Sequence, residues 1–303
     1  VEPSLASGAA RDSASDVASD VASDVASAVA SGVASDILRS DLIFLPGDGS
    51  LAAFDGGFVL LTPSNPTYWW GNTLHFARPP RDADFEPWNR AFEIHVHAAS
   101  PEASHRTFGW DGEERGAIDR FVAAGFSYFE TIALHADRGE VVRAPRPVAN
   151  ADLDIVTIEG RDWDAVRALQ VETRDPPHSA AGYDTFIRRR IVGWRDLEQR
   201  GQGRWFGVRI GDGIVAALGV FAEASRGRDG RRIGRFQHVT THPSMRRRGL
   251  ASRLVEHASR FAFEHLDVDT LLISADANDV ARHVYEGCGY RMRSKQHGLE
   301  RGN

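Results

Sequence analysis

Three consecutive arginines, a glycine and a helix-forming run, Arg246-Arg247-Arg248-Gly249-Leu250-Ala251, put positive charge and a residue without a Cβ at the start of a helix. The first N–H groups of a helix lack carbonyl partners, and the helix dipole adds partial positive charge at the same spot. Gly249 lets the backbone approach an anion that a side chain would hold away. A phosphate suits such a place. Each helix-end interaction contributes only about 0.3 to 1 kcal/mol, so several N–H groups and the guanidinium groups must act together. Upstream, Phe236–Thr241 reads as a strand that ends in His242-Pro243; downstream, Leu254, Val255, Ala258 and Phe261 recur at helical spacing. A glycine before a helix and a run of arginines also describe a solvated surface, so the loop alone leaves both readings open.

A second set of residues decides between them. After the strand-like run Thr270–Ala275 come Asn278, Ala281, Tyr285 and Gly289-Tyr290, spaced N-x-x-A-x-x-x-Y-x-x-x-G-Y. A phenol with a pKa of about 10 stays protonated at neutral pH and can supply a proton to a departing thiolate, whose thiol titrates near 8.5. Tyr285 seen alone would equally be a packing residue on an amphipathic helix. Together with Thr241–Ala251, which matches a (Q/R)-x-x-G-x-(G/A) loop with a proline upstream, the pattern resembles the GNAT acetyltransferase superfamily over about residues 150–294. The resemblance implies acetyl-CoA as acyl donor, threaded into a V-shaped opening between two central strands. Its pyrophosphate would rest on backbone N–H groups of Arg246, Arg247, Arg248, Gly249, Leu250 and Ala251, next to Thr241 and His242. Asn278 would touch the pantetheine and Tyr285 would be the general acid. The implied reaction is N-acyl transfer to a primary amine by direct attack in a ternary complex, without a metal.

The base is less clear from the residues. In the family a Glu, a His or a bound water often serves, four positions before Thr241, and here that position is Gln237, which takes up no proton at neutral pH. His238 can titrate near 6.5, but strand alternation sends it to the opposite face. Glu172 and His178 are further candidates. A lysine-like amine of pKa about 10.4 is neutral about once in 2,500 at pH 7, a cost of roughly 4.6 kcal/mol, against about 1.4 for an α-amine near 8. A site without a strong base therefore favours a less basic amine or a water chain. The rival reading is a module that binds acyl-CoA or a partner without turnover; Tyr285 favours the enzyme, and Gln237 leaves room for the rival.

The elements that must position these groups read as mixed α/β. Leu153–Ile158 alternates as a strand, helical patterns follow around Trp163–Leu169 and Tyr183–Leu197, and Gly211-Asp212-Gly213 joins two strands as a hairpin. After Tyr290–Met292 few apolar residues remain, so the last strand of the family is expected to be short or missing.

Laid over itself at one fixed offset, without a gap, the chain puts Gly125-Phe126 on Gly289-Tyr290, Ala117 on Ala281 and Pro79 on Pro243. The first half thus reads as a second, degenerate copy, with Asp82, Phe85, Glu114 and Phe121 in place of Arg246, Gly249, Asn278 and Tyr285. The expectation is tandem GNAT-like domains, each a mixed, largely antiparallel sheet flanked by helices: a tail over 1–40, a degenerate domain over 41–140, a linker over 141–150 and a catalytic domain over 151–303. Trp88, Phe92 and Val96 fit a helix, although Phe92, Ile94 and Val96 also alternate as in a strand. Tyr68-Trp69-Trp70 reads as packing rather than as the roof of an acceptor pocket, and Glu93, His95 and His97 make a weak metal set.

Composition excludes several classes. A net charge of −6 argues against general nucleic-acid binding, and one cysteine, Cys288, excludes an intramolecular disulfide and a Cys-based cluster. No run is long and apolar enough for a membrane span, and the first residues lack a signal-peptide pattern, so the expectation is a cytoplasmic monomer or homodimer whose partners are acetyl-CoA and an amine. The Asp-Val-Ala-Ser reiteration over 13–39 drifts about 40° per repeat on a helix and reads as a tail or loose helix, with a partner-binding helix as the alternative.

Overall fold

Strands covered on both faces read as continuous apolar runs, whereas strands with one wet face alternate. Both kinds occur in the computed structural model, which describes residues 35–45, 47–142, 154–174, 179–227, 229–277 and 280–302. The chain forms two units, one built mainly from Leu45–Tyr128 with the terminal Gly298–Asn303, the other from Asp36–Phe44 and Phe129–His297. The first described helix, α1 (Asp36–Asp41), belongs to the second unit.

In the first unit β1 (Ser50–Phe54) and β2 (Gly57–Leu61) form a hairpin, β3 (Thr73–Phe76) pairs antiparallel with β2, and β4 (His105–Asp111) pairs parallel with β3. The crossover is α2 (Phe85–Phe92), extended by a π turn over Glu93–His97. Trp88, Phe92 and Val96 all point inward from it, so the helical reading of this stretch holds. The short α3 (Asp119–Ala123) closes an aromatic core in which Phe76 stacks on Trp88 at 3.7 Å.

The second unit carries β5 (Ser127–Asp137) from Phe129 onward, then β6 (Asp154–Thr157), α4 (Asp162–Glu172), α5 (Ala180–Gln199), β7 (Gly203–Ile210), β8 (Gly213–Ala222), β9 (Ile233–Thr241), α6 (Leu250–His265), β10 (Thr270–Asp276), α7 (Ala281–Gly287) and β11 (Arg291–Gly302) as far as His297. Its strand order is β11-β5-β10-β9-β8-β7-β6; from β5 to β6 the successive pairs are antiparallel except β9–β10, which is parallel. Alternate residues of β8 enter two different cores. Ala216, Leu218 and Val220 pack with Leu254, Val255 and Ala258 of α6, while Ala217 and Phe221 pack with Trp163 of α4 and Trp194 of α5. Helices on both faces explain why Ile214–Phe221 is apolar throughout.

The offset between the two halves reappears, with small shifts, as geometry: β10, α7 and β11 start at Thr270, Ala281 and Arg291, and β4, α3 and β5 start at His105, Asp119 and Ser127. Two expectations change. The last strand is neither short nor missing, because β11 runs for 12 residues. Its strand signal is weak because ion pairs hold much of it: Arg293 meets Asp137 at 2.9 Å and Lys295 meets Glu130 at 3.4 Å. At the other end the tetrapeptide repeat lies outside the described residues up to Ala34, but from Asp36 the chain is helical. There Ile37 packs on Ala133, Ile233 and Leu272, and buried Arg39 makes a two-point ion pair with Glu223 at 2.6 and 2.7 Å. Of the stretch expected as a linker, 141–150, residues 143–150 also lie outside the described residues. Among the described residues no helix is long and apolar enough to cross a membrane.

Candidate active site

The parallel pairing of β9 and β10 begins with Ile233–Thr270 and stops at Arg235–Leu272. Beyond that point β9 stays with β8 and β10 stays with β5, so the two strands part. Between them opens a cleft of about 400 Å³, lined by Phe236, His238, Val239 and Thr240 on one side and Ile273–Asp276 on the other. Tyr285 of α7 reaches it, and α4 and α5 with the residues beside them supply Gln170, Thr173, Arg174 and Tyr183.

His238 faces this cleft because of a β-bulge. Gln237 pairs with Gly219 and Thr240 with Ala217, so His238 and Val239 stand opposite the single residue Leu218. His238 takes the extra turn with φ +45°. One inserted residue reverses the alternation, which corrects the expectation that His238 points away. Gln237, by contrast, does not line the cleft; its Oε1 accepts a hydrogen bond from Arg190 Nη2 at 3.5 Å. Burial beside Trp194, with Arg190 and Arg235 adding to it, pushes the His238 imidazole down to about 3, so it is neutral at physiological pH rather than titrating near 6.5. The carbonyl of His238 accepts from Thr240 Oγ1 at 3.1 Å, and that hydroxyl accepts from Gln170 Nε2 at the same distance.

The loop after β9 makes one turn over Pro243–Met245 and enters α6 at Gly249. Gly249 has φ +74°, the left-handed conformation that a side chain disfavours. The N–H of Arg246 is already spent on Pro243 O at 3.3 Å, whereas the N–H groups that open α6 have no partner inside the helix. Arg246, Arg247 and Arg248 are all exposed, and Arg246 Nε donates to the Thr241 carbonyl at 3.3 Å. His242 caps the turn: its Nδ1 accepts from Ser244 N at 3.3 Å, and its Nε2 lies 3.0 Å from Glu172. Glu172, read as a candidate base, is thus a partner of His242. Asn278 and His178 lie outside the described residues.

Of the two tyrosines in the motif only Tyr285 lines the cleft. Tyr290 is buried, shares a hydrogen bond of 2.8 Å with Ser259 and is held above the usual phenol range by desolvation. Gly289 before it has φ +99°, and a Cβ there would collide with the Glu140 carbonyl. Cys288, buried, is pushed up to about 11 by desolvation and is no nucleophile at neutral pH.

The GNAT acetyltransferase family model matches residues 163–290, the span from α4 through the loop to Tyr290. Residues 163–290 are a GNAT acetyltransferase domain. Membership implies acetyl transfer that depends on acyl-CoA. The GNAT fold also extends over most of the chain. A GCN5-related N-acetyltransferase from Kribbella flavida superposes with TM-score 0.56 at 18% identity, covering 87% of this chain and 93% of its own. One from Sphaerobacter thermophilus gives 0.54 at 15%, covering 94% and 93%. A functionally unknown conserved protein from Staphylococcus epidermidis gives 0.66 at 13%, covering 84% and 95%. At these identities the likeness is one of fold. No curated protein matches the sequence.

Among the described residues of the first unit the corresponding strands do not part. Its parallel pair stays joined through Phe76–Trp110 at the end of β3, and aromatic rings fill the space. In its loop the Asp84 carboxylate accepts from the Arg81 N–H at 2.7 Å and pairs with Arg78, so a built-in anion occupies the turn. Tyr68-Trp69-Trp70 packs within this unit, Trp69 stacking on His105 at 5.3 Å, and none of the three lines the cleft. Of the weak metal set, Glu93 is held by His97 and Arg106, and His95 leans on Phe54.

Proposed function

We propose that the GNAT domain transfers an acetyl group from acetyl-CoA to a primary amine by direct attack. The observation that carries this reading is the placement of Tyr285 and His238 on one strand opening. The N–H groups at the start of α6, from Arg247 to Ala251, would hold the pyrophosphate, with the guanidinium groups of Arg246–Arg248 around it. Asn278, expected on the pantetheine, keeps that role as a proposal.

In the reaction the amine nitrogen attacks the thioester carbonyl, the C–N bond forms and the C–S bond breaks. Tyr285 gives its phenolic proton to the departing sulfur, and the proton released from the amine restores the phenol through solvent. Neutral His238 accepts a hydrogen bond from the incoming amine and aims its lone pair; it does not store the proton. The amine therefore enters already neutral or loses its proton to water, which favours an acceptor less basic than lysine.

Release of free thiol from acetyl-CoA across a panel of amines tests the proposal. A module that only binds acyl-CoA would show saturable binding with no thiol released above the rate in buffer. Tyr285 favours turnover over that second reading.

A further inference from the structure

Two side chains close the joint at which β9 and β10 part. Arg235–Leu272 is the last parallel pair, so Phe236 and Ile273 are the next residue on each strand; both are buried and both line the cleft. They face the side of the sheet that carries α6 and α7, where they share a core with Leu254, Tyr285 and Tyr290. We infer that Phe236, with Ile273 beside it, is the stop that limits the acyl group to acetyl and excludes longer acyl chains. This rests on the acetyl-transfer reading above and adds to it a residue that selects the donor.

The direction of entry follows from the strands. The turn proposed for the pyrophosphate comes after Thr241, the last residue of β9, whereas the strands join at Arg235. A thioester reaching in from that turn therefore advances along β9 towards the joint, its sulfur behind and its acyl group ahead. The methyl of an acetyl group then points at Phe236 and Ile273, and every further carbon would have to displace them.

Phe236 is held in place. Its ring stands edge-on to that of Tyr290, with centroids 6.0 Å apart and planes at 82°. Tyr290 is fully buried and shares its 2.8 Å hydrogen bond with Ser259, so the second tyrosine of the motif braces the stop. A core packed in this way resists even one added methylene. On the opposite face of the joint Arg235 is buried and paired with Asp41 at 3.1 Å, and Leu272 packs on Ile37, so charged and packed side chains fill that face. A longer chain that folded back into the cleft would lie against Gln170 and Thr240, in the space that the amine needs.

Thiol release from acetyl-, propionyl-, butyryl- and hexanoyl-CoA with one amine measures the stop. One methylene in an apolar pocket is worth about 10- to 200-fold, so the wild-type chain should prefer acetyl to butyryl in kcat/KM by about 100-fold or more. Phe236→Ala should raise the butyryl-to-acetyl ratio by about 10-fold or more. A ratio taken within one variant is insensitive to how much of it folds. Phe236→Leu keeps more of the core filled and should shift the ratio less in the same direction; it carries the test if Phe236→Ala does not fold. Leu254→Ala opens the same core away from the cleft and should leave the ratio unchanged. Calorimetry with unreactive thioethers reads the stop without turnover: S-ethyl-CoA should bind the wild-type chain more tightly than S-butyl-CoA, and Phe236→Ala should remove the difference. Equal use of acetyl and butyryl by the wild-type chain, an unchanged ratio in both Phe236 variants, or the same shift in Leu254→Ala would each overturn the inference. No thiol released from any acyl-CoA would sink the acetyl-transfer reading, and the thioethers would then decide: selectivity lost in Phe236→Ala upholds the stop, and binding without selectivity overturns it.

Discussion

The ring of Phe85 lies 5.1 Å from that of Phe121, edge to face, and under the gap-free overlay of the two halves these rings stand where Gly249 and Tyr285 stand in the second. Where the GNAT domain has a bare backbone turn and a phenol at its cleft, the first unit has two hydrocarbon rings in contact. We therefore expect one acetyl-CoA per chain by calorimetry. Gly249→Phe should abolish that binding, because it forces a bulky residue into a left-handed turn and covers the N–H groups at the start of α6. Phe85→Gly should create no second site.

Tyr285→Phe should lower kcat by about 10²- to 10⁴-fold, the range of a positioned general acid, with KM for acetyl-CoA within about threefold. A purely structural tyrosine would instead lower the thermal midpoint and leave kcat per folded molecule unchanged. Stopped-flow thiol release beside a melting curve distinguishes the two.

The pH profile of kcat/KM should rise to the pKa of the free amine and show no enzyme group near 6.5, since His238 is held down to about 3 and is already neutral throughout that range. His238→Ala should reduce the plateau without moving the profile. A limb near 6.5 that disappears in this variant would refute the assignment of His238 as a neutral acceptor.

His238 is not alone. Burial pushes His105 and His135 down to about 4 each. A histidine whose folded pKa lies below its unfolded value of about 6.5 costs stability as the pH falls, because the unfolded chain takes up the proton first. Urea unfolding should lose up to about 2 kcal/mol for each such group between pH 7 and pH 5, with the loss continuing towards pH 3 to 4. His105→Phe should flatten that slope if burial is its cause.

Arg39 is buried and shared between Glu223 and Asp229. Arg39→Met should destabilise the second unit by about 3 to 5 kcal/mol in urea unfolding, since it strands the Glu223 carboxylate. The double variant Arg39→Met with Glu223→Leu should recover most of the loss, which separates the charge from the packing.

How much of this was legible in the residues depended on range. The loop, Gly249 and Tyr285 are local: a glycine at a helix start and a tyrosine at fixed spacing carry their meaning within a few turns of chain. So are the helix of Trp88, Phe92 and Val96 and the hairpin at Gly211-Asp212. The last strand was hidden because Arg293 and Lys295 are stabilised by Asp137 and Glu130, partners on β5 that lie far off along the chain. The face of His238 was misread because a bulge leaves no mark in an alternating pattern; it exists only in the pairing of β9 with β8.

By itself, then, the sequence determined that three arginines and a glycine at a helix start, and a phenol at fixed spacing after them, occur in one half of the chain and not in the other, since both depend on which residue stands at which step of a helix. Tertiary structure decided where the strands part, which side of β9 His238 occupies and that its imidazole stays neutral. Those depend on strand register, on burial and on the charges of Arg190 and Arg235, all set by contacts that the local pattern of residues does not encode.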